Sequence, residues 1–290
     1  MNEKILKQAR TYKNTVYGPQ VFISFDKAGE LSEEDMVKSI VYAMEECDKT
    51  NPKTHTDMTK RRSLQEIFLA QLIGKLGEFA TYEATKQSVS YSPFEEPDIH
   101  AWERGIWDKG DLTVINNKTN KKELWQIKTP VLSYSQFLLL ETGDYNKLGQ
   151  YIHPNHEDPI KYDGFVFQRI RYDEDQHQKD DNNSRLSNIF EKFFEYRNKF
   201  INNDIKRENY LVERELEKYS KQYGLYLKIE YELPRLITRE EFINQVIRKS
   251  HILPKEKFFT ASPRYDKHKG KTKLQDENYY IEASDMEHIN

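Results

Sequence analysis

Residues 110–130, GDLTVINNKTNKKELWQIKTP, set two short apolar runs on either side of a polar turn, with an acid opening the first run. Runs of this length joined by Asn, Lys and Thr read as a β-hairpin. With the turn centred near residues 118–119, antiparallel pairing places Asp111 opposite residues 126–128, at the far end of the second strand. Gln126 and Lys128 lie two apart and share one face, while Trp125 and Ile127 share the other. An amide and an ammonium therefore stand in register with a carboxylate at one end of otherwise apolar strands. Two readings are open: a solvated sheet edge, on which an i,i+2 polar pair is ordinary, or a built site.

The segment upstream bears on that choice. Residues 63–87 carry Leu64, Ile67, Phe68, Leu72, Leu76, Phe79 and Ala80 at helical spacing behind Ser63 as a cap. Glu78 falls between the core positions Leu76 and Phe79, at the inner edge of that helix. A carboxylate so placed needs a partner, because an unpaired buried charge costs on the order of several kcal/mol. A metal ion, Lys128, or another nearby Arg or Lys would serve.

Elsewhere the chain alternates helix with strand. Ser32 caps a helix over EEDMVKSIVYAMEECDK, with Glu34 and Asp35 in its first turn and Met36, Ile40, Val41 and Met44 on its apolar face. A basic loop, NPKTHTDMTKRR, precedes the 63–87 helix, and the Trp-rich AWERGIWDKG leads into the hairpin. DGFVFQRIRY, at 163–172, reads as one further strand. Residues 173–224 differ in character: an acidic, Asn-rich loop, then long charged helices through NIFEKFFEYRNKF and ENYLVERELEKYSKQY, read as a helical insertion suited to base contact, dimerisation or both. LYLKIEYEL returns to strand, and Thr238 caps a short helix in TREEFINQVI.

Composition narrows the class. At 290 residues, 37% hydrophobic and 32% charged, with 19 Tyr and 15 Phe, the chain is globular and large enough for a sizeable core. It has no eighteen-residue apolar run, and the opening MNEKILKQARTYKN lacks the apolar stretch of a signal peptide, so a soluble cytoplasmic protein is expected. A single cysteine, Cys47, excludes an intramolecular disulfide and a cysteine-rich zinc site. The eight histidines show no metal-binding spacing, and His153 and His156, flanking Pro154, are assigned to the surface. No Walker loop, GxGxxG, GxSxG or HExxH is present, so no nucleotide cofactor is expected. Net charge is −3, and any nucleic-acid surface must be a local patch.

Helix Glu78, strand Asp111 and, after a short turn, Gln126-x-Lys128 follow one another in an order and spacing that resembles the PD-(D/E)xK, restriction-endonuclease-like nuclease superfamily, in a Q-x-K variant. DGFVFQRIR and LPRLITREEFI resemble its later strand and following helix. The resemblance covers roughly residues 60–172 and 225–247. Two departures stand out. Asp111 follows Gly110 instead of proline, with Asp98 of the literal Pro97-Asp98 pair in reserve, and an amide occupies the middle carboxylate position at Gln126. An amide oxygen ligates a hard cation without adding charge.

The resemblance implies an α/β fold: a restriction-endonuclease-like core with a central mixed β-sheet flanked by helices and a helical insertion. It divides one nuclease domain, 1–290, into an N-terminal helical part (1–57), a catalytic core (about 58–172 and 225–250), the insertion (about 173–224) and a basic C-terminal segment (251–290). It implies a Mg²⁺-dependent endonuclease acting on double-stranded DNA, site-specific in the manner of a type II restriction enzyme and working as a homodimer. Mn²⁺ is expected to substitute. Glu78, Asp111, Gln126 and Lys128 would be catalytic, with Asp111, Gln126 and Glu78 holding the metal. A structure- or modification-dependent defence or repair nuclease, and a degenerate DNA-binding module, are the alternatives.

Such an enzyme must grip phosphates. Residues 248–273 hold nine Lys or Arg against two acids, interleaved with Phe258, Phe259 and Tyr265. Lys267, Lys269 and Lys271 there, and Lys60, Arg61 and Arg62 ahead of the 63–87 helix, are the candidate DNA contacts; the competing reading of both segments is solvated chain.

Overall fold

Helix capping sets out the frame in the computed structural model, which describes residues 10–12, 15–17, 21–49, 63–99, 110–130, 135–152, 158–172, 185–201, 213–255, 258–260, 271–274 and 276–289. The chain runs through β1 (Arg10–Tyr12), β2 (Thr15–Tyr17), β3 (Lys27–Glu30), α1 (Glu33–Lys49), α2 (Leu64–Lys86), β4 (Tyr91–Pro93), β5 (Leu112–Asn116), β6 (Lys121–Lys128) and β7 (Phe137–Glu141). It continues through β8 (Gly164–Phe167), β9 (Ile170–Tyr172), α3 (Arg185–Ile201), α4 (Glu213–Tyr223), β10 (Ile229–Glu232), β11 (Arg235–Thr238) and α5 (Arg239–Glu241). Last come β12 (Ile252–Leu253), β13 (Phe258–Thr260), β14 (Lys271–Lys273), β15 (Asn278–Glu282) and β16 (Glu287–His288).

The expected caps are in place. Ser32 Oγ accepts from Asp35 N–H at 3.1 Å, and the Ser32 amide donates back to the Asp35 carboxylate at 3.1 Å. Ser63 with Glu66, and Thr238 with Glu241, form reciprocal capping boxes. After Thr238 the α-helical stretch lasts only three residues before Phe242–Ile247 winds as a π-helix. The apolar stripes of α1 and α2 bury one another: Met36, Ile40, Val41 and Met44 meet Ile67, Phe68, Leu72 and Leu76 in one core cluster. Among the described residues, no helix is long and apolar enough to cross a membrane.

The fold is mixed α/β around a six-stranded sheet in the order β16-β11-β8-β6-β5-β4. Its one parallel pair is β6 with β8; the other neighbours run antiparallel. On one face Leu112, Val114, Trp125, Ile127 and Val166 pack with Tyr82 of α2. On the other, Phe165, Phe167 and Ile237 meet Leu138, Leu140, Phe242, Val246 and Ile281, brought by the π-helix and by the small sheet β12-β15-β7. The charged helices α3 and α4 put their apolar faces onto the α1–α2 layer, with Phe190 and Phe194 at 5.6 and 6.1 Å from the Phe68 ring centroid.

Residues 163–172 depart from expectation. They form two strands in two different sheets, because Gln168 and Arg169 turn fully inward between them. Arg169 reaches Glu232 through two bonds of 2.6 Å and donates to the carbonyls of Ile23 and Ser24 at 3.1 Å. Polar side chains satisfied inside the protein break the strand that their apolar neighbours would otherwise continue. The strand within LYLKIEYEL is likewise shorter than expected, confined to Ile229–Glu232, and it pairs with β3 and β9.

Candidate active site

The hairpin forms as the alternation dictates. Leu112 pairs with Trp125 and Asn116 with Lys121, and the turn takes Asn117–Asn120, where Asn120 adopts a left-handed conformation with φ 54°. Continuing the register by one residue sets Asp111 against Gln126. Asp111 Oδ2 accepts the Ile127 amide N–H at 2.5 Å, which fixes the carboxylate to the second strand. Gln126 is buried, and Lys128 is exposed at the strand's end. Trp125 and Ile127 occupy the opposite face, in the cluster beneath α2.

Asp111 is half-buried, and desolvation pushes its carboxyl above the ordinary carboxylate value. Three favourable influences oppose that push: the Lys128 charge, the Ile127 N–H and the Lys75 charge. Because the folded protein then holds a proton on Asp111 more tightly than the unfolded chain does, this group's contribution to stability falls as pH rises through the carboxylate range. Asp111→Asn is therefore expected to raise the thermal midpoint at neutral pH, with the gain shrinking as pH falls, in paired melting curves.

Gln126 has a partner that the sequence reading did not name. The hydroxyl of Tyr145 donates to Gln126 Oε1. Burial holds that phenol well above its usual range, so it stays a donor, and the Asp111 charge is among the influences acting on it. Tyr145 in turn packs edge-on against Phe165 and Phe242, each at 5.6 Å.

Glu78 is also paired, and Lys75 is one of its partners. The ammonium, 1% exposed, donates to Glu78 Oε2 at 2.5 Å and stands 4.1 Å from the centroid of the Tyr42 ring. The signal was available in "GKLGEF", where Lys and Glu stand at i and i+3 on one helix face. What lets α2 come so close to the end of β6 is Gly77, whose added Cβ would lie 1.6 Å from Thr129 Oγ1. Gly77→Ala is expected to cost about 1–3 kcal/mol by overpacking, whereas Gly74→Ala, with open space around it, should gain up to about 1 kcal/mol of helix propensity. Chemical denaturation of the two variants checks both signs.

Asp111, Gln126 and Lys128 thus come together at one end of the hairpin, and Lys75 links Glu78 to Asp111 electrostatically. Asp98 lies in the loop after β4. Lys60, Arg61, Arg62, Lys267 and Lys269 lie outside the described residues, as do His153, His156, residues 51–62 and 173–184, and residues 100–109 of the Trp-rich approach. Lys271 opens β14. No protein-family model matches this chain, and neither a curated protein nor a solved structure does.

Proposed function

We propose that the chain is a Mg²⁺-dependent endonuclease that hydrolyses phosphodiester bonds of double-stranded DNA at specific sites, on a restriction-endonuclease-like core and as a homodimer. The observation that carries this reading is the meeting of Asp111, Gln126 and Lys128 at one end of adjacent antiparallel strands, with the intervening Ile127 turned to the opposite face. Hard cations take oxygen donors, and the Asp111 carboxylate and Gln126 amide supply them from facing positions, so the residues fit Mg²⁺. A desolvated carboxylate also gains most from a cation's charge. When bound, the ion polarises a phosphoryl oxygen and lowers the pKa of a water. Lys128, exposed at the strand end, orients the attacking water and stabilises the charge that accumulates on the phosphate.

A second reading, a module that grips DNA without cutting it, is favoured by the engagement of Gln126 Oε1 with the Tyr145 hydroxyl and of Glu78 with Lys75, which, among the three expected ligands, leaves Asp111 as the main source of negative charge for a cation. Incubation with unmethylated plasmid and phage DNA, in Mg²⁺ or EDTA, separates the two. Discrete Mg²⁺-dependent fragments support the site-specific nuclease, and smearing favours a nuclease without sequence preference. A gel shift with no cleavage at any metal concentration supports the binding module.

A further inference from the structure

The resemblance places Glu78 among the metal holders, yet the geometry gives that carboxylate a different counter-charge. We infer that Lys75 is the resident cation on the Glu78 side of the site and takes the place that a second metal ion would fill, so that the chain binds one divalent ion, at Asp111 and Gln126. The inference rests on the metal-dependent reading above and specifies its stoichiometry.

Lys75 is among the largest side chains that are fully buried. A buried ammonium must be paired, and here both partners are built into the helical layer: Glu78 one turn along α2 and the Tyr42 ring from α1. The i,i+3 spacing makes the pair intrinsic to α2. The close approach of Gly77 to Thr129 fixes that turn of helix against the end of β6, so the pair stands beside the strand that carries Lys128. Lys75 also acts on Asp111, alongside Lys128.

Among these four groups the charges balance before any metal arrives, two carboxylates, Glu78 and Asp111, against two ammonium groups, Lys75 and Lys128. A divalent ion binding through Glu78 Oε2 would have to displace the buried Lys75 ammonium, and an uncompensated ammonium there would cost more than a surface ion pair returns. At Asp111 no such displacement is required, because its oxygen is held by a backbone N–H and its lysine neighbour Lys128 is exposed.

Mn²⁺ binding to the purified full-length chain, without DNA, tests this by isothermal titration calorimetry and by counting free Mn²⁺ in electron paramagnetic resonance. Wild type is expected to bind one ion per chain, lost in Asp111→Asn. Lys75→Met, close in length and without charge, is expected to bind two, with the second lost again in Lys75→Met/Glu78→Gln. Glu78→Gln alone leaves the count at one, and this variant decides the matter if Lys75→Met does not fold: loss of the ion would make Glu78 a ligand and overturn the inference. Two ions on wild type, or a single ion on folded Lys75→Met, would also overturn it while leaving the metal-dependent reading standing. No ion on wild type at all would overturn that reading itself.

Discussion

Lys128→Ala is expected to slow DNA cleavage by about two to four orders of magnitude in single-turnover assays, the loss typical of a group that moves a proton or meets transition-state charge. The position of the residue argues that the loss will be chemical and not structural. Its side chain is exposed, so truncation opens no cavity, and its backbone is held independently by the Gln168 amide, which donates to the Lys128 carbonyl at 3.1 Å. Melting curves should therefore overlay wild type. Lys128→Arg keeps the charge but replaces a compact ammonium with a broader planar guanidinium, and it should recover only part of the rate. Cleavage by Lys128→Ala at the wild-type rate would remove Lys128 from the chemistry.

Arg169→Met is expected to destabilise the fold by about 3–5 kcal/mol, lowering the melting midpoint on the order of 10 °C, because it leaves Glu232 as an unpaired charge in the interior. Both partners are essentially excluded from solvent, at 0% and 2% exposure, and the guanidinium is bidentate. It also satisfies the carbonyls of Ile23, Ser24 and Ser135, so one side chain fastens residues 23–24 to the break between β8 and β9. Glu232→Leu alone should cost a comparable amount by stranding the arginine. The double variant Arg169→Met/Glu232→Leu should recover much of the loss, since two apolar groups replace a pair whose attraction barely exceeds its desolvation. Additive losses in the double variant would show that the backbone contacts, not the ion pair, carry the stability.

What could be read before the fold was known follows from where the determining contacts lie. The caps at Ser32, Ser63 and Thr238 close within three residues, and all three stand where local chemistry put them. The hairpin is as local: alternation and a polar turn fix its register, and the register alone faces Asp111 with Gln126. Arg169 is the opposite case. An arginine in an apolar run reads as a strand's solvent-facing residue, and only Glu232, 63 residues away, makes it a buried one. Tyr145 as the partner of Gln126 was hidden for the same reason, since nothing near position 126 points to it. Lys75 differs from both, because its i,i+3 spacing from Glu78 is visible in the sequence and a carboxylate at that position demands a counter-charge. Only its burial is not visible there, and that comes from α1 closing over α2 through Tyr42. The C-terminal residues show the limit plainly: their charge pattern says nothing of β15 pairing with β7 or of β16 closing the edge of the main sheet.

The most direct test of the account is the cleavage of phage DNA by Asp111→Asn in Mg²⁺, run beside its melting curve. A protein that melts at or above the wild-type midpoint and leaves DNA uncut under conditions where wild type produces discrete fragments is the predicted result. Wild-type fragments from that same folded variant would contradict it, and the site at the end of the hairpin would then be a polar sheet edge.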